Sequence, residues 1–211
     1  MRLLRRLAAL LGFAGAPALS ETLGPVEWLA GQAGEERIAR NHGPIDFGTD
    51  QLTAIELLLH ERGPWSPETF AIPTGPAEFW TLHEPTQQRV AAALLVWSNT
   101  PAYCGEEVIS GVDGPIAGFM SPAAALHMQK ENLRAADGGQ GAYVDWVEPQ
   151  SPETSFARFM TLPGGARFAG FSTGWGDGNY PVVRLRDKHG QTVAIYADFI
   201  GNPAKESFIL P

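Results

Sequence analysis

Gly170–Tyr180 carries the densest set of residues with chemical potential. Gly170-Phe-Ser-Thr-Gly174 matches G-x-S-x-G, and Trp175-Gly-Asp-Gly-Asn-Tyr180 sets Asp177 and Asn179 among glycines between two large aromatics. A serine nucleophile in that motif needs a helix directly behind it, so that backbone N–H groups face the developing oxyanion. Here glycines, an asparagine and a proline follow, then a strand pattern, and the only downstream histidine is His189. The serine reading therefore fails. Asp177-Gly-Asn179 begins like a calcium loop, but the position that should bear a bidentate glutamate is Lys188. Asp177 is better read as a turn residue bonding backbone N–H groups. Trp175, Asp177, Asn179, Tyr180 and Asp198, the acid in the strand pattern beyond, make the candidate binding or structural loop.

Other reactive types are dispersed. Glu106 and Glu107 are adjacent, and acidic neighbours argue against an activated nucleophile at the single cysteine, Cys104, so its thiol reads as a small packed residue. The histidines His42, His60, His83, His127 and His189 show no metal-ligand spacing, and Pro64 stands where His60-Glu61 needs a second histidine. The expectation is no metal and no cofactor.

The chain must be shortened before its charge is weighed. Arg2, Arg5 and Arg6 precede an apolar run from Leu7 to Ala14, and Ala18-Leu19-Ser20 offers small residues before Glu21. This is the pattern of a secretory signal peptide over residues 1–20, too short for a membrane span. Its loss removes three arginines and no acid, moving the formal charge from −8 to −11. Such a chain repels phosphate backbones and anionic lipid surfaces, so nucleic acid and lipid headgroups are poor partners, and no stable membrane anchor is expected after signal cleavage. A periplasmic or secreted location follows, with an unknown protein or small molecule as partner. One cysteine allows no internal disulfide, so the fold must rest on its core.

The positioning elements follow in order. Residues 21–44 read as a helical lead-in with stops at Gly34 and Gly43. Residues 45–200 read as one β-rich domain, and 201–211 as a tail. Ile45–Asp50 reads as a short strand and a turn and Phe70–Gly75 as a strand running into a turn, and strands are expected at Glu78–His83, Gln88–Trp97, Glu107–Ile109 and Pro115–Met120. Leu52–His60 fits a buried strand or a helix. Ser121-Pro122 caps the main helix, about 121–136, along which Leu126 and Leu133 share a face. Tyr143–Val147 is a brief strand candidate. Strands at Phe156–Leu162 and Ala166–Phe171 lead to a final hairpin, Tyr180–Arg186 and Gln191–Phe199, whose second strand alternates as a half-buried strand does. Pro181 points to an edge or a bulge. The fold class is α+β, mostly antiparallel sheet with one main helix packed on it.

Several of these segments resemble the bacterial family called domain of unknown function 4241, over about residues 45–200. They are Arg89-Val-Ala-Ala-Ala-Leu-Leu-Val-Trp-Ser98, Gly118-Phe-Met-Ser-Pro-Ala-Ala-Ala125, Gly174-Trp-Gly-Asp-Gly-Asn-Tyr-Pro-Val182 and Val193-Ala-Ile-Tyr-Ala-Asp-Phe199. The chain departs from that family's pattern at His60–Pro64 and Gly114–Gly118. The resemblance implies a β-rich fold and no catalytic residues, since the family has no established activity. The functional expectation is a non-catalytic exported binding or accessory protein, immunity-like in one form. The alternative is a hydrolase or metal-binding protein using Asp177.

Overall fold

A computed structural model describes residues 23–57, 67–109, 115–136, 141, 143–151, 156–174, 176, 178 and 180–199. The expected signal segment, residues 1–20, and the expected tail, residues 201–211, lie outside these residues. The described chain is an α+β fold dominated by antiparallel sheet. Its strands are β1 (Ile38–Ile45), β2 (Gln51–Glu56), β3 (Phe70–Ala71), β4 (Ala77–Glu84), β5 (Arg89–Val96) and β6 (Cys104–Ile109). They continue with β7 (Ile116–Met120), β8 (Ala157–Thr161), β9 (Arg167–Ser172), β10 (Val182–Arg186) and β11 (Thr192–Asp198). Two helices, α1 (Pro25–Gly31) and α2 (Pro122–Ala136), complete it.

The strands form a six-stranded sheet, β1-β4-β5-β11-β10-β6, and a five-stranded sheet, β3-β2-β7-β9-β8. The sheets face each other over Phe79, Leu95, Phe119, Phe171 and Ile195. On the outer face of the first sheet, Trp28 and Leu29 of α1 cover Leu94 and Tyr196, with Trp28 edge-on to Tyr196 at 5.1 Å. On the outer face of the second, Ala125 and Met128 of α2 pack with Leu57, Met120 and Phe168. Both sheets are thus covered on both faces, which explains the long apolar runs.

β5 illustrates the consequence. Alanine favours helix, yet Arg89–Val96 is a strand between β4 and β11, because pairing on both edges and burial on both faces outweigh local propensity. β11 departs from the half-buried expectation for the same reason. Ile195 and Ala197 enter the inter-sheet core, whereas Ala194 and Tyr196 enter the layer under α1. Val193 is the extra residue where the β10–β11 register shifts, and it joins the α1 side.

Other expectations need correction. Residues 38–42 belong to β1, not to a helical lead-in, because pairing with β4 supplies their hydrogen bonds. Gly43 stops no helix; its φ of +93° lies beside a bulge in β1. Tyr143–Val147 is a π-helical turn, not a strand. β10 is an inner strand, between β11 and β6, with its irregularity at Val182/Val183 next to Pro181. Ser121 caps α2 as expected, its hydroxyl accepting from the Ala124 N–H at 3.2 Å. The face that α2 buries is Ala125, Met128 and Asn132, while Leu126 is exposed. The buried Asn132 amide donates to Leu57 O at 3.1 Å and ties α2 to the end of β2. Among the described residues no helix is long and apolar enough to cross a membrane.

Candidate functional site

The glycine-rich loop is braced from within. Thr173 Oγ1 and Tyr180 Oη both donate to Gly176 O, each at 2.9 Å. Gly176 sits at φ +90°, and a side chain at Gly178 would meet the Tyr180 ring at 3.3 Å. These glycines answer to backbone shape and close packing. Tyr180 is buried in the inter-sheet core, edge-on to Phe199 at 5.5 Å, so it acts as a packing residue and a strut. Asp198 is fully buried at the end of β11, where its N–H donates to Pro181 O at 3.2 Å. Trp175, Asp177 and Asn179 lie outside the described residues. Ser172 of the G-x-S-x-G match ends a strand with no helix behind it, and its hydroxyl donates to Phe156 O at 3.4 Å. His127 stacks on Trp146 at 5.4 Å. His189 lies in the β10–β11 turn, its N–H donating to Asp187.

The structure instead brings together two histidines that sequence reading left scattered. β1 and β4 pair with Arg40 opposite Thr81 and Ile38 opposite His83. Between Asn41 and Gly43 the register shifts, making His42 the extra residue, and Gly43 N–H closes the bulge by donating to Asn41 Oδ1 at 2.6 Å. A second shift, between Leu82 and His83 on β4, leaves Ala91 extra on β5. Bulges redirect side chains. Here His42 and His83 come to lie on the inner face with ring centroids 6.2 Å apart.

His42 lies over Phe79 at 4.8 Å, and its Nε2 is 2.8 Å from Thr81 Oγ1, the donor depending on the tautomer. Thr81 is fully buried and His83 is 7% exposed. His83 Nε2 has no hydrogen-bond partner. Leaving such a group unsatisfied costs about 1–3 kcal/mol; Thr53 Oγ1, Trp80 Nε1 and Trp97 Nε1 are likewise buried without a partner among the described residues.

The inner row of β1 runs outward from this point. Ile45 is buried, His42 partly buried, Arg40 exposed, and Ile38 is 44% exposed. β1 is the edge of its sheet and β8 the edge of the other, and the two edges pack against each other. Phe159 of β8 reaches the inter-sheet core at 5.8 Å from Phe79, and the Arg167 guanidinium lies over its ring at 4.9 Å.

The electrostatics are one-sided. His42 is held down to about 4, first by burial and then by the charges of Arg40 and Arg158. His83 is also held to about 4, by burial, Arg40 and His42. Both imidazoles are therefore neutral at pH 7, each with one N–H and one lone pair. Among the described residues no three of His, Cys, Asp and Glu are grouped to hold a metal ion.

A signal for this cluster existed in the sequence. Strict alternation along Glu78–His83 puts Phe79, Thr81 and His83 on one face. The partner strand was hidden by the helical reading of residues 35–42. No family model, curated protein or solved structure matches the chain.

Proposed function

We propose that this chain is an exported, non-catalytic binding protein that takes its ligand at the β1–β8 edge of the sandwich, beside His42 and His83. The observation that carries the reading is His83 Nε2, buried without a hydrogen-bond partner next to a second neutral imidazole. A binding site keeps a polar group unsatisfied so that a ligand can satisfy it, and mixes a few such groups with apolar walls. The basic and apolar segment over residues 1–20 supports export. Kinship with domain of unknown function 4241 belongs to the same proposal and is supported by Gly174–Val182 and Val193–Phe199.

The test is a small-molecule library screened by NMR on the purified full chain with labelled histidines. Hits should perturb His42 and His83 ring signals ahead of His127 and His189. Hits that cluster around Trp175–Tyr180 and spare the histidine pair would overturn the reading in favour of the glycine-rich loop.

A further inference from the structure

We infer that β1 is an acid-released strap, whose middle lifts from β4 when His42 and His83 take up protons while both of its ends stay anchored. No ligand is needed for this movement. Of the eight residues of β1 only Ile45 is buried, and as an edge strand it pairs on one side alone, with β4. Pro44 brings no N–H to that ladder, and the bulge at His42 interrupts it. Segments with little apolar burial and few ladder bonds open locally, at less cost than global unfolding.

The middle of the strand is held from the inner face by His42. Its ring lies over Phe79 at 4.8 Å, and its Nε2 is 2.8 Å from Thr81 Oγ1. The ends are held by other means. Just before β1, Arg37 Nε donates to Glu84 Oε1 at 2.8 Å, and Glu84 Oε2 accepts from Arg89 Nε at 2.6 Å. Past the bulge, Ile45 sits in the inter-sheet core. α1 has its own tie upstream, where the Val26 N–H donates to Asn99 Oδ1 at 3.0 Å. Loss of the hold at His42 therefore frees the span between Arg37 and Ile45 and baring of the β4 edge stops there.

Protonation removes that hold. With ring centroids 6.2 Å apart, two imidazolium ions would repel each other and Arg40 in a site largely shut off from water. In the closed strand both rings are held to about 4, first by burial. A lifted strand returns them toward the ordinary 6.5, so the open form gains on the closed one as pH falls from 6.5 to 4. The neighbouring ionisable residues do not offset this. On β4, Glu84 is taken up by Arg37 and Arg89, and Glu78 stands opposite Pro44 beyond the bulge. β8 brings Arg158, which acts on His42 and has an interaction of its own. β9 brings Arg167, which lies over Phe159.

The experiment is amide hydrogen exchange by NMR on the purified full chain at pH 7 and pH 4.5, in dilute urea, with intrinsic rates corrected for pH. Opening of β1 amides should rise by about tenfold or more at pH 4.5. It should also be indifferent to urea, as local opening exposes little surface, whereas β5 and β11 amides exchange faster as urea is added. A His42→Asn, His83→Asn double variant should lose most of the pH effect on β1. Exchange of β1 that climbs with urea in step with β5 and β11 means global unfolding and overturns the strap. Exchange of β1 unmoved by pH does the same. If the double variant does not fold, ring titration of the original chain decides. Midpoints near 4 that coincide with shifts of the β1 amides support release, and midpoints near 6.5 with unmoved β1 amides overturn it.

Discussion

The inner face of the six-stranded sheet turns polar at both ends, and the ends are built differently. At the β10–β6 end, Arg184 and Arg186 share the face of Val182 and converge on Glu106 Oε2, which Arg186 Nη2 approaches to 2.9 Å. Arg184 also donates to Ala71 O at 3.4 Å, linking this end to the second sheet. The hydrogen bond from Arg184, with the charges of both arginines, holds Glu106 below the usual carboxylate range. At the β1–β4 end, His42 and His83 sit in the field of Arg40, which with burial holds both imidazoles neutral. One end brings its own counter-charge and behaves as a clasp. The other sets two neutral imidazoles side by side, so the two ends respond in different pH windows.

Titration should separate the ends most strongly. For His42 and His83 the folded value, about 4, lies below the ordinary 6.5. Above pH 6.5 both folded and unfolded forms are neutral, so nothing changes. As pH falls from 6.5 to 4 the unfolded chain takes up protons that the folded chain refuses, and stability is lost, on the order of 3 kcal/mol after discounting partial exposure. Glu106 is lowered from 4.5, so its contribution is intact above 4.5 and fades only below it. Urea denaturation at pH 7, 5.5 and 4 should therefore show a decline through the first window that a His42→Asn, His83→Asn double variant flattens. A flat profile in the original chain would equate the two ends.

Next in size is the support of the pair. Thr81→Val keeps the shape and removes the hydroxyl 2.8 Å from His42, and should cost about 1–2 kcal/mol in urea denaturation. At the clasp, Glu106→Gln should cost about 1 kcal/mol, because Glu106 is 54% exposed and solvent screens the pairs. That cost should shrink in high salt, whereas the Thr81→Val cost should not. The smallest effect on stability is expected of Arg40→Gln, within about 0.5 kcal/mol for an exposed site. It should nonetheless raise both histidine midpoints, measured by NMR, because a cation acting on each has gone.

Much of the sheet was legible because its cues are local. The β8–β9 and β10–β11 hairpins follow from alternation around Gly164-Gly165 and Asp187–Gly190, and α2 from Ser121-Pro122. The glycine-rich loop was legible as a shaped turn, and the brace on Gly176 agrees with that reading of its glycines. The histidine pair was not legible, because a bulge breaks the period-2 rule by which faces are assigned. His42 reaches the inner face only as the extra residue between Asn41 and Gly43.

By itself the sequence determined the β-rich class, the capped helix, the charge and the turns, since each depends on neighbours within a few positions along the chain. Tertiary structure decided that β5 and β11 are covered on both faces, that β1 is a strand at all, and that His42 and His83 stand 6.2 Å apart. These depend on which distant segment pairs with which, and on where the register slips by one residue. A ladder between strands far apart in the chain carries no mark inside either strand alone.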